Sequence, residues 1–265
     1  MSAALHEAVD ALMREVGASI LLPRFRALRA EDIEEKAPGD LVTIADRESE
    51  ARLTEGLARL LPGSSVIGEE AVSADAGVRE GVGRGAAWIV DPLDGTGNFA
   101  AGRTPFAIMV ALTQDGETEA GWILDPVSGR RCCAYRGGGA FIDGERVTAR
   151  PSGAVPPIGA LATRYLPPDI RAEVERRAEG RIACVPVPHC AGEQYPRVVL
   201  GENDLALFWR AMPWDHAPGA LFVEEAGGRL ARLDGSPYRP DQDRTGLLAA
   251  STPELWDQAA KLLFG

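Results

Sequence analysis

Leu5, Val9, Leu12, Val16 and Ile20 recur at three- to four-residue intervals with charged residues between them, which predicts an amphipathic first helix ending near Pro23. A second helix is predicted where Leu53, Leu57, Leu60 and Leu61 form an apolar stripe. Its acidic first turn is Asp46 to Glu50, and Pro62-Gly63 stops it. The periodicity then shortens. Ser65 to Ile67, Ala86 to Asp91, Pro105 to Thr113, Glu119 to Leu124, Arg131 to Tyr135 and Ala140 to Ile142 read as strands, with turn pairs such as Asp115-Gly116 and Asp143-Gly144 between them. This part predicts an α+β lobe, a meandering antiparallel sheet packed on two helices.

Pro151 to Pro157 is rich in Pro, Gly and Ser and marks the expected boundary, giving lobes at 1–150 and 151–265. Beyond it strand-like and helical patterns alternate: strands at Gly159 to Thr163, Ile182 to Val187 and Leu205 to Trp209, with helices at Ile170 to Glu179, Glu193 to Leu200, His216 to Ala226 and from Pro253. Alternation of this kind predicts a layered α/β lobe. The Gly-rich stretches Gly81 to Gly85 and Gly137 to Gly139 lack the context of a P-loop or dinucleotide fingerprint and read as loops.

Composition narrows the function. With 45% hydrophobic and 25% charged residues the 265-residue chain belongs to the ordinary globular class. A net charge of −11 argues against a nucleic-acid partner, because binding a phosphate backbone draws on clustered Lys and Arg. Apolar runs such as Phe106 to Leu112 fall far short of the ~20 residues that span a bilayer, and Glu7, Asp10, Arg14 and Glu15 interrupt what would be a secretion signal. Neither membrane association nor export is expected. Cys132, Cys133, Cys184 and Cys190 have no zinc-ligand spacing and read as mostly buried thiols, consistent with a reducing cytoplasm.

The chemistry concentrates in Trp88-Ile89-Val90-Asp91-Pro92-Leu93-Asp94-Gly95-Thr96-Gly97-Asn98-Phe99. An apolar strand runs into two carboxylates, a tight turn and a hydroxyl. Asp91 and Asp94 offer hard oxygen ligands, with the Leu93 carbonyl between them, a set that Mg²⁺ selects over zinc. Gly95 permits close backbone approach, and a helix starting here would turn the amides of Gly95 and Thr96 toward a phosphate. Taken singly, each element has a plainer reading: Asp-Pro-x-Asp-Gly is a turn sequence, Glu69-Glu70 a solvated pair, Asp215 an N-cap before Pro218, and Thr43-x-x-Asp46 a capping box. Their joint occurrence is what points to a site.

The chain resembles the inositol monophosphatase family of lithium-sensitive, magnesium-dependent phosphatases. The resemblance rests on Trp88 to Phe99, on Gly68-Glu69-Glu70 and on Trp214-Asp215 through Gly227-Gly228. Lys36, Asp40, Thr43 and Asp46 also match the family's mobile N-terminal loop and catalytic Asp. It implies a layered α-β-α-β-α sandwich of the sugar-phosphatase type, usually a homodimer. It also implies two or three Mg²⁺ ions: one on Glu69, Asp91 and the Leu93 carbonyl, a second on Asp91, Asp94 and Asp215, and a weaker third through Glu69. Thr96 and Asp46 would orient and deprotonate the attacking water. The resemblance weakens in the substrate pocket. Phe208 stands where inositol-specific members carry a Glu, and His189-Cys190-Ala191-Gly192 matches poorly. His189, Cys190 and Phe208 are therefore the substrate-pocket candidates, with Trp209 and Tyr195 as possible ring-packing surfaces. The expected substrate is a small phosphate monoester: an inositol or sugar phosphate, histidinol phosphate or 3′-phosphoadenosine phosphate. A phosphate-ligand sensor or assembly partner without catalysis is the alternative of a different class, and His216 is given no catalytic role.

Overall fold

A computed structural model describes residues 2–37 and 40–265. Helix α1 (Ala3–Val16) buries Val9, Leu12, Met13 and Val16, and the Ser2 side chain caps it by accepting from the Leu5 amide. The chain stays helical through a wider turn to α2 (Leu22–Arg24), where Phe25 turns extended. A hairpin of β1 (Ile33–Ala37) and β2 (Asp40–Thr43) leads into α3 (Ile44–Leu60), which packs on α1. The hairpin was not foreseen from the pattern. The side chain of Asp40, expected beside Lys36 in the N-terminal loop, lies outside the described residues.

Strand β3 (Ser65–Gly68) runs into the short helix α4 (Glu69–Ala74), and β4 (Ala86–Asp94) into α5 (Thr96–Ala100). A meander follows through β5 (Ala107–Gln114), β6 (Glu117–Leu124), β7 (Arg131–Tyr135), β8 (Gly139–Ile142) and β9 (Glu145–Val147). These strands form one seven-stranded sheet in the order β3-β4-β5-β6-β7-β8-β9. All pairs are antiparallel except β3 with β4, which run parallel where an antiparallel meander was expected. One face carries α1 and α3, and Leu53 and Leu57 of α3 join Trp88, Val110 and Trp122 of the sheet in one apolar cluster.

The second sheet comes from residues 158–250. Strands β10 (Ile158–Leu161), β11 (Ala183–Cys184), β12 (Leu205–Phe208), β13 (Arg229–Arg232) and β14 (Leu247–Ala250) adopt the order β11-β10-β12-β14-β13. Helices α7 (Ala191–Leu200) and α8 (Pro213–Glu225) lie between the two sheets, while α6 (Pro168–Ala178) and α9 (Pro253–Phe264) cover the outer face of the second. The result is the five-layer α-β-α-β-α sandwich. Between two sheets, α8 is buried nearly all round from Pro213 to Val223, which is why it carries no amphipathic stripe. Strand β11 is shorter than the pattern implied, since Pro186 and Pro188 remove amide donors that a longer ladder would need. No helix among the described residues is long and apolar enough to cross a membrane.

Candidate active site

Strand β4 is buried from Ala87 to Asp94, so its two carboxylates lie deep in the protein. Residues three apart on a regular strand face opposite sides of the sheet. Here the pairing with β5 slips: Asp91 is opposite Met109 but Asp94 is opposite Ala107, so β4 carries one extra residue. Such a bulge re-aims side chains, and it brings Asp91 and Asp94 to the same side. The Leu93 amide donates to Asp91 Oδ1 at 2.9 Å. Asp94 Oδ2 accepts from the Gly192 amide at 2.6 Å and from Cys190 Sγ at 3.1 Å, at the start of α7.

Glu69 arrives at the first position of α4, at the end of the neighbouring parallel strand. Buried Glu50 on α3 fixes that helix start by accepting from the Glu70 and Ala71 amides at 2.7 and 2.8 Å. Glu50 was not anticipated; its only sequence signal is a charged residue on the apolar side of α3. Asp215 comes from α8 in the other half of the chain. Its expected alternative role as an N-cap is not what the fold uses: Met212 is the cap, Pro213 takes the first helical position and Asp215 sits within the first turn.

One oxygen from each of Glu69, Asp91 and Asp215 lies within 4.8 Å of the others. Burial, then mutual repulsion, pushes Asp91 and Asp215 well above the usual carboxylate range. Burial likewise raises Glu69 to about 7 and Asp94 to about 6. Several carboxylates packed this closely, all oxygen donors, form a site with a deficit of positive charge, which suits a hard divalent cation. Lys36 on β1 meets part of that deficit, donating to Glu69 Oε1 at 3.0 Å and Glu70 Oε1 at 2.8 Å.

Asp46 and Thr96 meet beside this cluster. Thr96 Oγ1 is 2.9 Å from Asp46 Oδ1 and 2.9 Å from the Leu93 carbonyl, so its single proton has two acceptors. Asp46 also closes the capping box of α3, its Oδ2 accepting from the Thr43 amide at 2.8 Å and Thr43 Oγ1 at 2.6 Å. The capping geometry and the Thr96 bond are thus both present. Burial dominates the Asp46 carboxyl, which is raised to about 6 despite these donors.

Gly95 precedes Thr96 with φ of 88°, and a β-carbon there would meet the Pro105 carbonyl oxygen at 3.0 Å. Asn98 ties this turn to the opposite wall by donating to the carbonyls of Pro105 and Pro188. Glu69, Asp91, Asp94, Gly95, Thr96, Asn98 and Asp215 border a cavity of about 490 Å³.

The pocket candidates separate. His189 is exposed on the cavity wall in a left-handed conformation, with φ of 54°. Cys190 is buried and turned toward Asp94. Phe208 lines the cavity but is itself buried against Tyr195 and His216, with ring centroids at 5.2 and 4.8 Å. Tyr195 is wholly buried, its hydroxyl 2.6 Å from His216 Nδ1, so it offers no surface to a ligand; His216 Nε2 in turn bonds the Arg210 carbonyl. Arg103, Arg164, Tyr165 and Arg210 also line the cavity and were not foreseen.

The model of the inositol monophosphatase family matches residues 4–263. This chain belongs to that family. It is 29% identical to the fructose-1,6-bisphosphatase/inositol-1-monophosphatase of Thermotoga maritima over 84% of this chain and 83% of that protein. It is 35% identical to the histidinol-phosphatase of Mycobacterium tuberculosis over 73% of this chain and 75% of that one. Among solved structures, the extragenic suppressor protein suhB of Bartonella henselae superposes with a TM-score of 0.84 at 25% identity, covering 99% of both chains. The protein is a phosphatase of the inositol monophosphatase family, a phosphoric monoester hydrolase.

Proposed function

We propose that this cavity hydrolyses a small phosphate monoester with Mg²⁺ held by Glu69, Asp91, the Leu93 carbonyl, Asp94 and Asp215, in two or three positions. The observation that carries the reading is the convergence of Glu69, Asp91 and Asp215 oxygens within 4.8 Å, beside a 2.9 Å bond between Thr96 and Asp46. Bound Mg²⁺ supplies positive charge that lowers the pKa of water and offsets charge on the transferring phosphoryl group. The residues do the rest. When Thr96 Oγ1 donates to Asp46, its lone pairs face outward and orient a water, whose proton passes to Asp46 through the hydroxyl. The burial that lifts Asp46 to about 6 makes it a competent base near neutral pH. The turn of Gly95 and Thr96 brings first-turn amides of α5, which have no helical acceptor, toward the phosphate.

Residues 1–150 then carry the metal-facing half and residues 151–265 contribute Asp215 and the substrate wall. Candidate substrates are inositol and sugar phosphates, histidinol phosphate and 3′-phosphoadenosine phosphate; His189 and Phe208 contact them, and Cys190 acts through Asp94. Family membership also supports a homodimer, lithium sensitivity and a cytoplasmic location. The decisive experiment is phosphate release from a panel of monoesters. Release is expected with Mg²⁺, is abolished by chelation and falls by more than ~10²-fold in Asp94→Asn, since even outer partners of metal ligands cost 10–100-fold. A phosphate sensor would release nothing from any ester, and near-normal turnover in Asp94→Asn would remove the metal assignment.

A further inference from the structure

Helix α3 turns one face toward two of the strand ends that build the site. Asp46 and Glu50 are four residues apart and so lie one above the other on that face. Asp46 Oδ1 accepts from Thr96 at the start of α5. Glu50 accepts with both oxygens at the start of α4, Oε2 from the Glu70 amide at 2.7 Å and Oε1 from the Ala71 amide at 2.8 Å. Glu50 is only 6% exposed, so these two amides stand in for the water its carboxylate has lost. The glycine before α4 is fitted to this carboxylate. Gly68 has a φ of −98°, which any residue adopts, so its backbone does not call for glycine. A β-carbon there would collide with the carboxyl carbon and both oxygens of Glu50. The Glu50 carboxylate fills the space that a side chain at position 68 would take.

Gly68 pairs with Val90 in the parallel ladder of β3 and β4, so the next residues, Glu69 and Asp91, follow from adjacent strands. Glu69 is the first residue of α4, and the contact that fixes the amides of Glu70 and Ala71 fixes its main chain too. Its carboxylate has to stay within 4.8 Å of those of Asp91 and Asp215, against their mutual repulsion. A loosely held chain would relieve that repulsion by moving Glu69 away. We propose that Glu50 is a positioning residue for the divalent-cation site: it presets Glu69 beside Asp91 and Asp215, so that the cation meets ligands already in place. The inference rests on the metal-dependent reading of this cavity. A carboxylate could also act on a cation through its charge alone. The fit to Gly68 separates the two effects, because a substitution at Gly68 displaces the Glu50 carboxylate without removing any charge.

The test is calorimetric titration of chelated protein with Mg²⁺ in the absence of substrate, alongside the Mg²⁺ dependence of phosphate release and the Tm of the metal-free protein. Glu50→Gln keeps the shape but turns an NH₂ group against one of the two amides, and Gly68→Ala keeps every charge but displaces the carboxylate. Both should weaken Mg²⁺ binding by about 10–100-fold, the range for groups that orient metal ligands. Turnover should recover to within about threefold of native when Mg²⁺ is raised in proportion. Glu55→Gln, exposed on α3 and paired with Arg59, should leave the affinity unchanged. In an Glu50→Ala background, Gly68→Ala should weaken binding by less than about threefold further, because the group it displaces is already gone. A full second loss would overturn the proposal. If Glu50→Ala does not fold, Glu50→Gln serves as the background. Native Mg²⁺ affinity in Glu50→Gln and Gly68→Ala, with only a lowered Tm, would make Glu50 a stabilising residue alone and leave the metal reading intact. A loss in Glu50→Gln without one in Gly68→Ala would show charge at work instead of position, and would also overturn it. No binding of Mg²⁺ by the native protein would refute both readings.

Discussion

Asp46 holds two jobs with its two oxygens. Oδ2 receives the Thr43 amide and hydroxyl, which is capping, and Oδ1 receives Thr96, which is the proposed catalytic contact. The two contributions can be separated by substitution. Asp46→Asn keeps the shape but removes the base, so kcat should fall by ~10²-fold or more. Thr43→Ala removes the cap and should cost about 1 kcal/mol of stability. It should leave kcat within a few-fold of native. Thermal melts and steady-state kinetics on both variants check this, and an Asp46→Asn protein that is destabilised yet fully active would reduce Asp46 to a cap. The sequence showed the Thr43-x-x-Asp46 spacing and so raised both readings, but only the fold brings Thr96, fifty positions away, onto the second oxygen.

Two short segments, the β4 bulge and the turn into α5, position most of the donors. Their backbone is the sensitive part. Gly95 combines a φ of 88° with a β-carbon position 3.0 Å from a carbonyl oxygen, whereas Gly97, two residues later, has nothing within 4 Å. Gly95→Ala should therefore cost at least about 1–2 kcal/mol from the left-handed conformation, and should lower turnover because Thr96 moves with it. Gly97→Ala should be neutral or stabilising by up to about 1 kcal/mol through helix propensity. Paired melts settle the comparison; equal destabilisation would show that loss of helix flexibility, not the turn, is the constraint. The glycine was legible as a turn residue. The bulge was not, because nothing in Asp91-Pro92-Leu93-Asp94 tells how β5 will register against it.

Considered over the entire chain, the fold concentrates carboxylates that repel one another. In the metal-free protein Asp46 and Asp94 are raised to about 6 and Glu69 to about 7, chiefly by burial, with Asp91 and Asp215 also raised. Between roughly pH 4 and 7 the folded state then binds more protons than the unfolded chain, so these groups make stability fall as pH rises. Buried His216, lowered to about 4, works in the opposite sense, losing stability as pH drops below its unfolded value, but it does so with or without metal. A bound cation favours the ionised carboxylates. The rise in Tm on adding saturating Mg²⁺ to chelated protein should accordingly be larger at pH 8 than at pH 5, and an equal or reversed difference would argue that Mg²⁺ binds elsewhere.

Most of the layered order was readable, because helices with one apolar stripe and strands in a meander carry their own periodicity. Thus α1, α3 and the strands from β5 to β8 lie within a few residues of where the pattern puts them. Elements buried on both faces were harder: Leu247–Ala250 has no alternation to read, and α8 begins three residues before its apolar run suggests. The candidate ligand types were also legible, since Asp91, Asp94 and Glu69 stand beside strand ends and glycines. What only the packed chain decided was their convergence. The bulge in β4 turned Asp91 and Asp94 to one side, Glu50 anchored the start of α4, and α8, held between the two sheets, delivered Asp215 from the far half of the molecule. Those are consequences of register and layer packing between residues distant in sequence, which local pattern does not encode.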